Sequence, residues 1–143
     1  MKIFNNTKIS RNYKNSALAI GNFDGIHKGH QKVFGETKKF AKRKKIKFGV
    51  LTFTPLPIMF FHKNIKNFRL TSEDQKIQLF KKHQVDFVIN VRFNKNFSKI
   101  NAENFITFWN IYAIKNFHNL PCKPFLIIIS FSSIFLQNLV IIF

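Results

Sequence analysis

The chain has 143 residues, with 24 Lys and Arg against six Asp and Glu, and a formal net charge of +18. This length predicts one domain, and a hydrophobic content of 45% that includes 20 phenylalanines is sufficient for a core. A single cysteine, Cys122, excludes an internal disulfide, and residues 1–6 lack a signal-peptide stretch, so we expect a cytoplasmic protein.

The first predicted strand and helix flank a glycine-rich turn. Residues 16–20 are a short apolar run without charge, which predicts a strand buried on both faces of a parallel sheet. A helical pattern begins at Lys28 and runs to about residue 44. The turn between them therefore lies against a helix N-terminus, where unpaired N–H groups and the helix dipole favour an anion.

The turn and the start of the helix form one contiguous decapeptide, Gly21-Asn22-Phe23-Asp24-Gly25-Ile26-His27-Lys28-Gly29-His30. Gly25 and Gly29 permit positive φ and allow a phosphate to approach the backbone closely. His27 and His30 are three residues apart, so their imidazoles share one face if both lie in the first helical turn. Two ring donors aimed at one phosphate would stabilise charge developing on its oxygens.

Each of these features also has an ordinary explanation. Glycine-rich turns occur for steric reasons alone, and a histidine pair can be a surface accident. A zinc site is another use of two histidines, but Cys122 is remote and no second pair has ligand spacing. The combination within ten residues favours a phosphate-binding turn.

The remaining predicted elements alternate along the chain. We expect a strand at 47–53, a Pro-rich loop at 54–68, a helix at 72–83, a strand at 85–91, a loop at 92–100 and a helix from 102. Ser72 and Gln75 predict a capping box at the start of the second helix, with Ile77 and Phe80 on its inward face. This order predicts an α/β fold, a Rossmann-like parallel sheet with its ligands at the carboxyl ends of the strands.

The decapeptide resembles the G-x-F-D-G-x-H-x-G-H signature of the bacterial FAD synthetase module, the FMN adenylyltransferase half of bifunctional riboflavin kinase/FAD synthetase, within the HxGH nucleotidyltransferase superfamily. Further matches follow in the family's order, at residues 50–57, 60–61, 69–71, 85–88, 93, 97 and 102–106. Leu56 stands where the family usually has a histidine between two prolines. The resemblance covers residues 1–106, and the family's later nucleotide loop and phosphate motif do not follow.

This resemblance implies transfer of AMP from ATP to FMN, giving FAD and pyrophosphate, with Mg²⁺ as cofactor. His27 and His30 would contact the ATP phosphates, and Asp24 would orient the turn or assist the Mg²⁺ ion. The other nucleotide-binding residues that it implies are Gly21, Asn22, Phe23, Gly25 and Gly29. The flavin-binding residues that it implies are Phe53, Pro55 and Phe60, although core packing explains Phe53 and Phe60 equally well. Another nucleotidyltransferase of the superfamily is the alternative enzyme.

The composition changes abruptly near residue 104. Residues 104–143 contain two lysines and no acid, and residues 124–143 carry no charge. That run has the length of a membrane span, but polar residues interrupt it, so we weight membrane contact below truncation or a reading-frame change. We interpret residues 1–106 as a partial FAD synthetase nucleotidyltransferase domain and residues 107–143 as an out-of-family apolar tail. The resemblance then implies weakened catalysis and a missing C-terminal riboflavin kinase domain.

The positive charge is spread along residues 1–103 and is densest at 38–47, around the end of the first predicted helix. A solvated helix end explains that cluster as well as a binding patch does. We expect non-specific attraction to polyanions and no specific nucleic acid partner. A non-catalytic or membrane-tethered nucleotide-binding fragment and a basic polyanion binder remain the alternatives to an enzyme.

Overall fold

The computed structural model describes residues 1–62, 69–101 and 104–105. The strands of this part are β1 (Lys2–Phe4), β2 (Ser16–Ile20), β3 (Lys47–Thr54) and β4 (Phe87–Arg92). Its helices are α1 (Lys28–Lys44), α2 (Pro57–Phe61) and α3 (Glu73–Lys82), with 3₁₀ turns at Arg11–Tyr13 and Phe97–Lys99. None of these helices combines the length and the apolar character that crossing a membrane requires. The predicted tail at 107–143 lies outside the described residues.

The four strands form one parallel sheet in the order β1-β4-β3-β2. α1 connects β2 to its neighbour β3, and α2 and α3 connect β3 to its neighbour β4. The predicted α/β fold with a parallel sheet is confirmed. The prediction lacks β1, because three residues at the start of the chain are too few to show a strand pattern.

The sheet separates two hydrophobic clusters. Successive side chains of β2 point to opposite faces, so Ala17 and Ala19 join one cluster while Leu18 and Ile20 join the other. Helices cover the first face, which also contains Val33, Phe34 and Ala41 of α1 and Phe80 of α3. Segments between the elements cover the second face, with Ile9, Tyr13, Phe93 and Phe97. All five residues of β2 are buried, as its uncharged sequence predicts.

The Pro-rich segment contains a helix, so the prediction of a loop throughout 54–68 is wrong at Pro57–Phe61. α2 begins at Pro57, where the absent N–H is no loss because the first N–H groups of a helix have no intrahelical partner. β3 also continues through Thr54, one residue beyond the prediction.

The capping box predicted for α3 is confirmed, but the predicted inward face is wrong at one of its two residues. Ser72 Oγ accepts a hydrogen bond from Gln75 N at 3.2 Å, and Gln75 Oε1 accepts one from Ser72 N at 2.9 Å. Phe80 is buried as predicted, but Ile77 is only half-buried. Lys76, one helical turn before Phe80, is 4% exposed. A lysine therefore occupies the inward position that the hydrophobic pattern assigns to an apolar residue.

Candidate functional site

The turn between β2 and α1 lies at the carboxyl end of the sheet. The strand ladder continues past β2, since Gly21 N donates to Leu51 O at 3.0 Å. Phe23 and Ile26 both have positive φ, of 49° and 32°, which is uncommon for residues with a Cβ. Their side chains are buried, so core packing holds this backbone in a conformation that costs about 1 kcal/mol or more at each residue. Strained residues of this kind cluster at ligand sites.

Two glycines of the turn are required by its geometry. Gly25 has φ +72°, and a Cβ there would lie 3.0 Å from Leu70 Cδ1. Gly29 has the His27 ring folded back over it, and a Cβ there would lie 3.0 Å from His27 Cε1. A side chain at either position would displace a neighbour that forms the turn.

The two histidines lie together at the start of α1. His27 is the N-cap residue, and its Nδ1 accepts a hydrogen bond from Gly29 N at 3.1 Å. In the neutral ring the proton is then on Nε2, which can donate to a ligand. The His30 ring stacks on the His27 ring with a centroid distance of 3.7 Å, and Phe23 packs edge-on against His30 at 5.2 Å. The imidazoles share one side of the turn, as their spacing predicts.

The electrostatics of the α1 N-terminus favour an anion. Its first turn contains no acidic residue, so no carboxylate of that turn offsets the positive end of the helix dipole. Asn22, which precedes the strained part of the turn, has its side-chain Oδ1 buried and, within the described residues, without a hydrogen-bond partner. A buried polar atom in that state requires an explanation, and a bound ligand is one.

Asp24 connects the turn to the segment before α3. Its Oδ2 accepts from Leu70 N at 2.8 Å, and its Oδ1 accepts from Thr71 N at 2.9 Å and from Thr71 Oγ1 at 2.8 Å. Burial raises the pKa of Asp24, but these hydrogen bonds outweigh burial and hold the pKa below its usual value. These contacts hold the turn against Leu70 and Thr71. Across residues 1–62, 69–101 and 104–105, no three His, Cys, Asp or Glu side chains form a metal-binding group.

A row of polar groups connects α3 to the turn, and the sequence prediction missed it. Lys76 Nζ donates to Thr52 Oγ1 at 2.7 Å, and Thr52 Oγ1 donates to the Asn22 carbonyl at 3.1 Å. Burial lowers the pKa of Lys76 to about 8, against the opposing effect of the Glu73 and Asp24 carboxylates. The available signal was the spacing of Lys76, one turn before the inward Phe80.

The residues predicted for the flavin site lie at the end of β3 and in α2. Phe53 is 4% exposed, and its ring packs against Phe93 at 6.1 Å and Phe97 at 5.6 Å, so core packing accounts for it. Phe60 is half-buried and contacts Phe93 at 5.3 Å. Pro55 is half-buried, directly after β3.

Two neighbours of these residues also bear on the flavin prediction. Leu56, at the position of the family's histidine, is 4% exposed at the start of α2. Phe61 is 55% exposed and stacks edge-on against Phe60 at 5.4 Å. The accessible aromatic surface of this segment is therefore at Phe61, which the flavin prediction did not include.

Comparison with known proteins shows which family this architecture represents. A family model described as FAD synthetase matches residues 9–117. The chain belongs to the FAD synthetase family. This finding confirms the resemblance of the decapeptide and assigns the parallel sheet to the nucleotidyltransferase-type fold. The matched residues include the whole turn and all of α1, β3, α3 and β4.

Relatives in this FAD synthetase family are much longer. The bifunctional riboflavin kinase/FMN adenylyltransferase of Buchnera aphidicola subsp. Schizaphis graminum is 38% identical over 92 residues, which are 64% of this chain and 30% of the relative. The protein of the same name from Escherichia coli K12 is 33% identical over 90 residues, 63% of this chain and 29% of the relative. The chain thus spans about 30% of the length of the curated relatives that it matches.

A solved structure supports the fold alone. The crystal structure of a macrolide-efflux protein from Streptococcus pneumoniae has a TM-score of 0.61 to this chain at 20% sequence identity. The superposition covers 78% of this chain and 37% of that chain.

Proposed function

We propose that this chain is the adenylyl-transferring part of an FAD synthetase, which binds ATP and FMN and transfers AMP to the phosphate of FMN. The observation that carries the proposal is the stacked pair of His27 and His30 at an acid-free helix N-terminus. The names of the relatives, which pair riboflavin kinase with FMN adenylyltransferase, support the same reaction.

The reaction needs positioning and charge stabilisation more than covalent chemistry. An oxygen of the FMN phosphate attacks the α-phosphorus of ATP, and a new P–O bond forms. The bond from the α-phosphorus to the oxygen that bridges to the β-phosphorus breaks, that oxygen keeps the electron pair, and pyrophosphate leaves. Holding two anions in line and stabilising the oxygens of the α-phosphate supplies the catalysis.

The residues of the turn have separate roles in this proposal. The N–H groups at the start of α1 and the imidazoles of His27 and His30 bind the phosphates of ATP. Gly25 and Gly29 keep that approach open, and Asp24 fixes the turn through Leu70 and Thr71.

Magnesium enters the proposal with the nucleotide. The carboxylate of Asp24 already accepts three hydrogen bonds, which favours its role in fixing the turn over a role as a metal ligand. We also propose a cytoplasmic location, and a division of the chain into a partial nucleotidyltransferase domain at 1–106 and an apolar tail at 107–143.

The flavin would bind beside the Pro-rich segment. We propose that Phe60 and Pro55 contact the isoalloxazine together with the exposed Phe61, since a flat aromatic ligand stacks on accessible rings. Phe53 would support this surface indirectly, since its ring packs against Phe93 and Phe97.

Calorimetric titration of the full chain with ATP, and chromatographic detection of FAD formed from ATP and FMN, test the proposal. We expect His27→Ala and His30→Ala each to weaken ATP binding by about tenfold or more, equivalent to about 1.4 kcal/mol. Thermal unfolding of each variant shows whether the fold is kept. His83→Ala is the matched control, because His83 is the C-cap residue of α3, at the end of that helix opposite to its N-terminus, and contacts Phe34. A wild-type chain that binds no ATP, or histidine variants that bind it as wild type does, would contradict the proposal.

A further inference from the structure

The proposed reaction leaves the buried Lys76 without a use. Lys76 is 4% exposed, and its ammonium group has three hydrogens to donate. Within the ranges that the structure describes, the ammonium group donates to Thr52 Oγ1 alone. Burial of a cation with donors left over is costly, and such a group in a folded protein requires an explanation.

The carboxylates near Lys76 are bonded elsewhere. Glu73 accepts from Arg69 at 2.6 Å and from Thr54 at 3.3 Å. Asp24 accepts from Leu70 and Thr71, as described above. Neither carboxylate forms an ion pair with Lys76 among the described residues. The charge of Lys76 is therefore not neutralised by direct contact in this part of the chain, and an anion bound at the turn would complement it.

The polar row also fixes the direction of one backbone N–H group. Thr52 Oγ1 holds the Asn22 carbonyl at 3.1 Å, and the peptide that joins Asn22 to Phe23 is trans. In a planar trans peptide the N–H is antiparallel to the carbonyl, so the Phe23 N–H points away from Thr52. No acceptor within the described residues takes that N–H. The turn thus presents an unpaired donor whose orientation depends on Thr52.

We propose that Lys76 is a positioning residue for the phosphate groups of the nucleotide. Through Thr52 it holds the Asn22 carbonyl, and thereby keeps the Phe23 N–H in the orientation that binds phosphate. A charged donor strengthens the hydrogen bonds that follow it, so the ammonium also polarises this peptide. The inference rests on the proposed function of the turn and adds a residue from α3 to it.

Two variants separate this role from a structural one. Lys76→Met keeps the hydrocarbon stem and removes the charge, whereas Thr52→Val keeps the shape and removes the hydroxyl that carries the contact. Calorimetric titration of the full chain with ATP, inorganic tripolyphosphate and adenosine is the measurement. We expect each variant to bind ATP and tripolyphosphate about tenfold more weakly or worse, and adenosine within about twofold of wild type.

A control variant and a folding measurement accompany the titrations. Lys82→Met, at an exposed lysine of the same helix, is expected to leave ATP affinity within about twofold of wild type. Lys76→Met is expected to unfold at the same or a higher temperature than wild type, because it removes a buried charge that lacks a direct partner.

A change of pH gives a readout that a purely structural lysine would not produce. Because the pKa of Lys76 is about 8, the wild-type chain should lose ATP affinity between pH 7 and pH 9.5. The charged groups that act on Lys76 are the carboxylates of Glu73 and Asp24, which raise its pKa, and the guanidinium of Arg69, which lowers it. Lys76→Met should lack this component of the pH dependence.

The outcomes distinguish this inference from the proposed function. A wild-type chain that binds neither ATP nor tripolyphosphate overturns both. A wild-type chain that binds both ligands, with Lys76→Met equal to it, overturns only the role of Lys76. If Lys76→Met also loses adenosine binding, Lys76 has a structural role. If Thr52→Val binds ATP as wild type does, the route through Thr52 is excluded. Either result overturns the inference.

Discussion

α1 and α3 begin at the same edge of the sheet, yet their N-termini are built in opposite ways. α3 is closed by its own residues, with a Ser72–Gln75 capping box and the acids Glu73 and Asp74 in its first turn. α1 is capped by the imidazole of His27 and has no acid in its first turn. Capping boxes and acidic first turns stabilise a helix, whereas an acid-free N-terminus remains attractive to an anion.

The comparison contrasts a helix terminus that stabilises the fold with the terminus that we propose binds phosphate. The α3 terminus is a stabilising element that needs no ligand. At the α1 terminus, Phe23 and Ile26 have positive φ, and the helix is capped by a hydrogen bond from Gly29 N to His27 Nδ1. The terminus also lies beside the row of polar groups formed by Lys76, Thr52 and Asn22. The two termini are linked by Asp24, so the effects of a variant at one terminus can be compared with the effects of a variant at the other.

The largest expected effect concerns the contribution of Lys76 to stability. Its pKa falls from 10.5 in the unfolded chain to about 8 in the folded protein, a depression equivalent to about 3 kcal/mol. Between these two values the unfolded chain binds more protons, so stability rises as pH increases from about 8 to 10.5. Urea denaturation at several pH values measures this rise. Lys76→Met should lack it, and an identical pH profile in both proteins would refute the assignment.

A second prediction concerns the link between the two termini. Asp24→Asn places a side-chain NH₂ group among the N–H donors of Leu70 and Thr71, and should lower the free energy of unfolding by about 2 kcal/mol. Asp74→Asn, at an exposed acid of α3, is the matched control and should cost less than about 0.5 kcal/mol. Urea denaturation compares the two. Equal losses would mean that the link contributes nothing beyond surface charge.

The contribution of the Asp24 contacts to stability should depend on pH, and the direction follows from the pKa of Asp24. The pKa of Asp24 is lowered in the folded protein, so its contribution is fully present above the pKa of the unfolded chain. That contribution is lost as pH falls through the lower folded value. The stability of wild type should therefore approach that of Asp24→Asn as pH falls through the lowered pKa of Asp24.

A third prediction separates helix capping from binding. Ser72→Ala removes the hydroxyl that accepts a hydrogen bond from Gln75 N in the α3 cap, and should cost about 1 kcal/mol of stability. It should leave ATP affinity within about twofold of wild type, because Ser72 lies outside the proposed phosphate site. Thermal unfolding and calorimetric titration provide the two numbers. A large loss of ATP binding would remove the distinction between the two termini.

The smallest expected change in stability comes from giving α1 the acidic type of start that α3 has. His27→Asp introduces a better N-cap residue with a negative charge, and should stabilise the free chain by about 0.5 kcal/mol. The same carboxylate should repel phosphate and weaken ATP binding by about tenfold or more. Unchanged ATP affinity in this variant would show that the anion site lies elsewhere.

Local signals were sufficient to predict much of the fold. The bounds of α1 follow from its helical pattern, the start of α3 from Ser72 and Gln75, and the parallel sheet from the alternation of elements. α2 escaped prediction because two prolines indicated a loop, although Pro57 is in the position where a helix tolerates it best.

The candidate site was predictable where its residues are contiguous. The spacing of His27 and His30 was enough to place their rings together. The burial of Lys76 and the bonds from Asp24 to residues 46 and 47 positions away arise only when α3 packs beside the turn. Periodicity treats lysine as an outward residue, so no local rule assigns Lys76 to the interior.

The Asp24 contacts make the turn and the entrance to α3 one cooperative unit. The amides of Leu70 and Thr71 are bonded to a residue of the turn, although Leu70 itself is 78% exposed. A ligand that stabilises the turn must therefore slow deuterium uptake at these two amides, more than forty positions along the chain from the groups that it touches. Occupancy of the site becomes visible by mass spectrometry or NMR at a place that the ligand does not contact.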